Sequence, residues 1–200
     1  VTARMAVERG ARVVLAARNE NTLRALAGEL GENAAYAAAD VADEAQVRQI
    51  ADTAIDRFGH FDTWVNDAGV SIYGNLIDLN MEDQRRLFET NFWGLVHGCR
   101  VAIEHMRDRG GALINIGSVL SERSIPLQGI YCASKHAVKG YTETLRMELE
   151  KAGIPVSVTL IKPSAIDTPY KDHAKNYLEV KPQNPPPVYA PEAVARAILY

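Results

Sequence analysis

Apolar residues along the chain follow two alternating patterns: short continuous runs, and longer stretches in which they recur every three or four positions. The continuous runs are RVVLAA (12 to 17), residues 34 to 39, DTWVN (62 to 66), ALINIG (112 to 117) and PVSVTLI (155 to 161), all of strand length. The longer stretches predict helices near 20 to 30, 43 to 58, 80 to 108, 130 to 152 and 191 to 200. Val47, Ile50, Ala51, Ala54, Ile55 and Phe58 form one stripe, and Leu87, Phe88, Phe92, Leu95, Val96, Cys99, Ile103 and Met106 another. Asn19 is suited to cap the first of these helices, while Gly31 and Gly59 are natural stops. Val1, Met5 and Ala6, followed by Gly10, predict the tail of one more helix at the start.

Strands separated by helices of this length require right-handed crossovers, so the sheet is mainly parallel with helices on both faces. The expected fold class is α/β, doubly wound and Rossmann-like, with residues 1 to 200 forming a single domain. A ligand site in such a sheet lies at the carboxyl ends of its strands, which selects the loops after residues 17, 39, 66, 117 and 161. Residues 163 to 189 carry six prolines and cannot form one regular element throughout. With Tyr170, Tyr177, Leu178 and Tyr189 supplying apolar surface, this segment is expected to be a substrate lid.

Charge narrows the classes of partner. Twenty-two basic and 25 acidic residues give a net charge of −3, with the signs interspersed, so neither nucleic acid nor a membrane is an expected partner. No apolar stretch reaches spanning length and no secretory leader pattern stands at the start, so the expected location is cytoplasmic. Cys99 and Cys132 lack metal-ligand spacing and the five histidines are scattered; no metal is expected.

One group of residues carries chemistry. In YCASK (131 to 135), Tyr131 and Lys135 stand four apart on one helical face. An ammonium next to a phenol favours the phenolate, so the pair is expected to lower the tyrosine pKa and make a proton donor and acceptor. Thirteen residues earlier, Ser118 closes a strand, where its hydroxyl could hold a substrate oxygen. The chain contains a control for this spacing: Ser164, Tyr177 and Lys181 repeat it. Lys181 precedes Pro182, however, which disfavours helix there.

With those residues placed, the chain resembles the short-chain dehydrogenase/reductase family, in its smaller single-domain members. The resemblance extends over essentially all 200 residues. It rests on Asp40-Val41 after a strand, NDAG (66 to 69), Asn91 within TNFWG, Ser118, Tyr131 with Lys135, and IKPSAIDTP (161 to 169). It implies a catalytic tetrad of Asn91, Ser118, Tyr131 and Lys135. Tyr131 would be general acid/base, Ser118 would polarise the substrate oxygen, Lys135 would depress the tyrosine pKa and hold the nicotinamide ribose, and Asn91 would hold a relay water. The implied cofactor is a nicotinamide dinucleotide and the implied substrate a small carbonyl or alcohol. Asp40 and Val41 would take the adenine, Asn66, Ala68 and Gly69 would line the adenosine side, and Ile166 and Thr168, after Pro163, would bind the carboxamide. Relatives that prefer NAD carry an acidic residue where this chain reads Ala17-Arg18. A guanidinium suits a 2′-phosphate, so NADP is the expected cofactor and NAD the alternative. The resemblance also implies a homodimer or homotetramer joined through the helices near 80 to 108 and 130 to 152.

The chain departs from the family pattern at Asp67, where Asn is usual, and at Ser164, where Gly is usual and a positive φ would be costly. The first strand of the fold and its glycine-rich turn are not represented. The sequence therefore reads as truncated at both ends, with a strand position left open between 12 to 17 and 62 to 66, and unpaired backbone groups along that gap. The alternative to an oxidoreductase is a dinucleotide-binding sensor or scaffold domain without catalysis. A serine hydrolase is disfavoured, since Ser118 lacks the flanking glycines of a nucleophile elbow.

Overall fold

A computed structural model describes residues 1–200. The elements in chain order are α1 (Thr2–Glu8), β1 (Val13–Ala17), α2 (Glu20–Leu30), β2 (Ala34–Ala38), α3 (Glu44–Phe58), β3 (Thr63–Asn66), β4 (Ile72–Tyr73), α4 (Met81–Phe88), a π-helical turn (Glu89–Trp93) and α5 (Gly94–Met106). They continue with β5 (Gly111–Ile116), α6 (Gly129–Ala152), β6 (Val156–Ile161), β7 (Ala165–Ile166), β8 (Lys175–Asn176), β9 (Val188–Tyr189) and α7 (Pro191–Ile198). The five strands read from apolar runs are all present. Asn19 caps α2 by accepting from the Thr22 N–H at 3.2 Å, and α2 and α3 end at Gly31 and Gly59. The chain has a Rossmann-like α/β fold.

All strand pairs are parallel. β1 pairs with β2, and β3, β5 and β6 form a three-stranded sheet in that order, with β5 central. No hydrogen bonds join β1 to β3.

The main core lies where α5 and α6 cover the three-stranded sheet. Cys99, Ala102 and Met106 of α5 meet Leu113 of β5, Val138 and Leu149 of α6, and Val156 and Val158 of β6. Under this layer runs a buried polar chain: the Trp64 ring N–H donates to Asn66 Oδ1 at 2.9 Å, Asn66 Nδ2 to Asn115 Oδ1 at 2.8 Å, and Asn115 Nδ2 to Thr142 Oγ1 at 3.0 Å. Paired in this way, Asn115 is buried and Asn66 half-buried without the desolvation cost of unsatisfied groups. The chain also explains Gly98: a Cβ there would lie 2.0 Å from Asn66 Oδ1 and 2.8 Å from Trp64 Nε1.

The expected helix over 80 to 108 is continuous but not uniform, because the π turn separates α4 from α5. One wider turn inserts a residue and changes which side chains face inward, and Asn91 sits in its middle. The proline-rich segment after β6 forms short strands, β8 docking onto β4 of the body and β7 pairing with β9 within the segment itself. Ser164 does not adopt a positive φ, so serine there carries no backbone strain.

Candidate active site

Ser118, Tyr131, Lys135 and Asn91 converge at the carboxyl end of β5, all four at most 9% exposed. β5 ends at Ile116, and Ser118 then starts a short 3-10 turn, Val119–Ser121. Its Oγ accepts from the Leu120 N–H at 3.1 Å while its own N–H donates to Ser121 Oγ at 3.1 Å. The cap fixes the hydroxyl oxygen and leaves its proton available to a third group. Tyr131 lies in the first turn of α6 with Lys135 one turn later. The Lys135 ammonium donates to the Ile116 carbonyl at 2.8 Å and lies 5.8 Å from the centre of the Tyr131 ring.

Electrostatically, the phenol differs from the sequence expectation. The pKa of Tyr131 is raised, because burial outweighs the Ser118 and Tyr170 hydroxyls that lower it. Burial dominates, so the phenol is raised where the sequence predicts a depression by the ammonium. Lys135 itself is pushed down to about 8 by burial, against the pull of Asp67. Asp67 is open to solvent yet sits in a recess walled by protein, which raises its pKa while Lys135 lowers it.

Asn91 holds a loop. Its Oδ1 accepts from the Val70 N–H at 2.8 Å, and its Nδ2 donates to the Val70 carbonyl at 2.9 Å and to Ser134 Oγ at 3.2 Å. Both amide protons are thus committed to protein atoms, which ties the NDAG loop to α6. A point one Cβ length from Gly69 is 3.6 Å from Asn91 Oδ1 and 3.9 Å from Lys135 Nζ, so the glycine, the amide and the ammonium share one recess.

The remaining predicted residues divide. Pro163 is brought to the catalytic end, its carbonyl accepting the Val119 N–H at 2.9 Å. Arg18 follows β1 and borders a shallow recess with Asn19, Glu20 and Asn21, within Coulombic range of Asp40. Asp40 Oδ1 accepts from the Ala42 N–H at 3.0 Å and Oδ2 pairs with Arg86. The Val41 carbonyl lies 3.1 Å from His97 Nδ1. Ala68 is exposed on the loop. The Asn66 side chain, by contrast, turns into the core polar chain and not toward the recess. Ile166 and Thr168 follow β6, joined to each other by the Thr168 N–H and Ile166 carbonyl at 3.0 Å, and neither hydrogen-bonds to the tetrad. The control triplet is dispersed: the Tyr177 hydroxyl donates to Asp83 and Lys181 pairs with Asp172.

The structure adds residues that spacing did not single out for the site. Tyr170 packs edge-on against Tyr131, ring centres 6.3 Å apart, and Ser71, which accepts from Gln128 Nε2 at 3.1 Å, acts on the Tyr170 hydroxyl from the other side. Tyr170 carries only an apolar signal in the sequence, and Arg86 reads as an ordinary helix-surface cation.

A nicotinamide dinucleotide fits this donor set. The buried ammonium of Lys135 has one protein acceptor for three N–H groups, and its others face the recess shared with Gly69. No helix is long and apolar enough to cross a membrane.

The short chain dehydrogenase family model matches residues 1–178. An uncharacterized oxidoreductase of Bacillus subtilis, YxnA, is 53% identical over 206 residues, spanning 100% of this chain and 58% of that protein. The chain therefore spans little more than half the length of that relative. Among solved structures, a 3-ketoacyl-(acyl-carrier-protein) reductase from Brucella melitensis complexed with NADH superimposes with a TM-score of 0.87 at 27% identity, covering 99% of this chain and 83% of that one. A short chain dehydrogenase/reductase from Burkholderia phymatum in complex with NAD gives 0.81 at 32% identity, covering 99% and 74%.

Proposed function

The chain belongs to the short-chain dehydrogenase/reductase family of oxidoreductases, and from that premise we propose that it interconverts a small carbonyl compound and its alcohol with NADP(H), using Tyr131 as general acid/base. The observation that carries this reading is the convergence of Ser118, Tyr131 and Lys135 at one strand end, with the serine hydroxyl acting on the phenol. When bound, the dinucleotide supplies or accepts the hydride, which no side chain can do. Ser118 would donate its free proton to the substrate oxygen. Tyr131 would deliver a proton from its Oη to that oxygen, and recover it in the reverse direction. With its pKa raised by burial, the phenol is protonated near neutrality, the form from which Oη can deliver a proton. Lys135 would hold ribose hydroxyls through its free N–H groups, and Asn91 would keep the loop at Val70 in place.

Arg18 and the absence of an acidic residue at position 17 support NADP over NAD. Arg18, Asp40, Val41, Ala68, Gly69, Pro163, Ile166 and Thr168 are proposed to line the cofactor, with Asn66 acting from beneath through its loop. The 163 to 189 segment is proposed as the substrate lid, because Tyr170 reaches Tyr131. The surroundings of Tyr131, which include Ile72, Leu79, Leu87 and Leu120, support an apolar substituent on the carbonyl. Trp93 and Met147, exposed on the π turn and α6, support self-association through those helices.

The test is a screen of ketones and aldehydes with NADPH and NADH, on the wild type and on Tyr131→Phe. Turnover by the wild type with loss of about a hundredfold or more in the variant is expected for a lost acid/base. Equal turnover in both would overturn the reading.

A further inference from the structure

Arg86 makes an ion pair that its own helix does not call for. On α4, Glu82 stands one turn before it and Glu89 just beyond the helix end, both positioned for local pairing. The guanidinium instead reaches 46 positions back in the sequence to Asp40 Oδ2, and Asp40 is its one ion-pair partner. Asp40 is held on its other sides as well: Oδ1 by the Ala42 N–H at 3.0 Å, and its backbone N–H by Gln46 Oε1 at 2.9 Å. The carboxylate is therefore fixed in direction, and each oxygen retains a lone pair for an incoming donor. Arg18, on the neighbouring loop, lies within Coulombic range of Asp40 and forms no ion pair of its own. With Glu20 of the Arg18 recess neutralised by Arg24, the two cations Arg18 and Arg86 and the one anion Asp40 leave this corner with a net charge of +1, whereas without Arg86 it would be neutral.

We propose that Arg86 is a positioning and selectivity residue of the adenosine end, fixing the Asp40 carboxylate and cancelling its charge so that Arg18 can receive a ribose 2′-phosphate. The inference rests on the NADP reading above and adds a residue of α4 to it. Asp40 would take the exocyclic amine of adenine, a neutral donor, and would lose little by being paired. A 2′-phosphate dianion near Arg18 is sensitive to any uncompensated carboxylate. Arg86 should therefore matter most for the phosphorylated ribose, a discrimination that a purely structural surface bridge would lack.

The test uses the full chain and two fragments of the cofactor, adenosine 2′,5′-bisphosphate and 5′-AMP, with binding read by calorimetry and no turnover required. For Arg86→Ala we expect the bisphosphate to weaken by about tenfold and 5′-AMP by only a few-fold. Arg86→Lys should keep most of the bisphosphate affinity. In Arg86→Ala combined with Asp40→Ala, the bisphosphate should recover relative to Arg86→Ala alone, since the uncompensated charge is gone. Equal weakening of both fragments by Arg86→Ala, or none, overturns the inference while leaving the NADP reading standing. A wild type that binds neither fragment removes both. Melting temperatures of the three variants, measured alongside, identify any that are misfolded, and Arg86→Lys then carries the comparison.

Discussion

Lys135 donates to the carbonyl oxygen of Ile116 at 2.8 Å, which anchors the ammonium flanking Tyr131 to the strand whose end carries Ser118. The anchor places the charge in a fully buried position, and burial brings its pKa from 10.5 to about 8.

Stability should follow that shift. Below about pH 8 the lysine is charged in both folded and unfolded chains, and folding bears the desolvation cost. Between about 8 and 10.5 the folded chain releases the proton while the unfolded chain keeps it, so this group makes stability rise with pH. The full rise is about 3 kcal/mol. Lys135→Met should flatten it, which denaturant midpoints for both proteins across that range will reveal.

Asn91→Leu should cost about 2–4 kcal/mol, because it strands both the N–H and the carbonyl of Val70 in a buried setting. Chemical denaturation gives the value. Asn91→Asp should also be destabilised, since the carboxylate cannot donate to the Val70 carbonyl.

At Gly98 a methyl group would collide with Asn66 Oδ1 and the Trp64 ring nitrogen. Gly98→Ala should lose about 1–3 kcal/mol by forcing the polar chain apart. Trp64 fluorescence should change in the native state, since its N–H loses its acceptor; an unchanged spectrum and midpoint would contradict this account.

The proposed lid is fastened at Asp83, which pairs with Lys175 and accepts from the Tyr177 hydroxyl. Both partners lower its pKa, so the attachment persists above the ordinary carboxylate range and is lost as pH falls through the lowered value. Asp83→Ala should increase the rate of limited proteolysis within 163 to 189 several-fold at neutral pH. In the wild type the same increase should occur only in acid.

Arg18→Asp should reverse the nucleotide preference. Replacing a cation by an anion next to a 2′-phosphate should lower the NADP to NAD affinity ratio by at least about tenfold. Direct titration with both nucleotides measures it.

Much of this was legible in the sequence because burial writes itself into periodicity. The run that became β5 is apolar since both of its faces are covered, leaving Leu113, Ile114 and Ile116 buried, and Tyr131 and Lys135 share a helical face by spacing alone. What was not legible depends on partners far apart in the chain. Asn66 reads as the polar end of a strand facing a ligand, yet its side chain turns inward because Asn115, Trp64 and Cys99 complete its hydrogen bonds. Arg86 reads as a solvated cation until the fold brings Asp40 to it. The raised pKa of Tyr131 is illegible for the same reason: adjacency to Lys135 is local, whereas the desolvation that dominates comes from β4, α4 and the chain around Tyr170. The π turn leaves no trace in hydrophobic spacing, because Phe88, Phe92 and Leu95 satisfy either winding.

Helix α4 is only eight residues long, and it grips the molecule at both flanks: Asp83 near its start clasps the proline-rich segment, and Arg86 one turn on clasps the loop after β2. A rigid rod of that length cannot tilt at one flank without moving the other. Under the proposed function, a shift of the loop after β2 would therefore be felt at the proline-rich segment, and the reverse, through α4 itself.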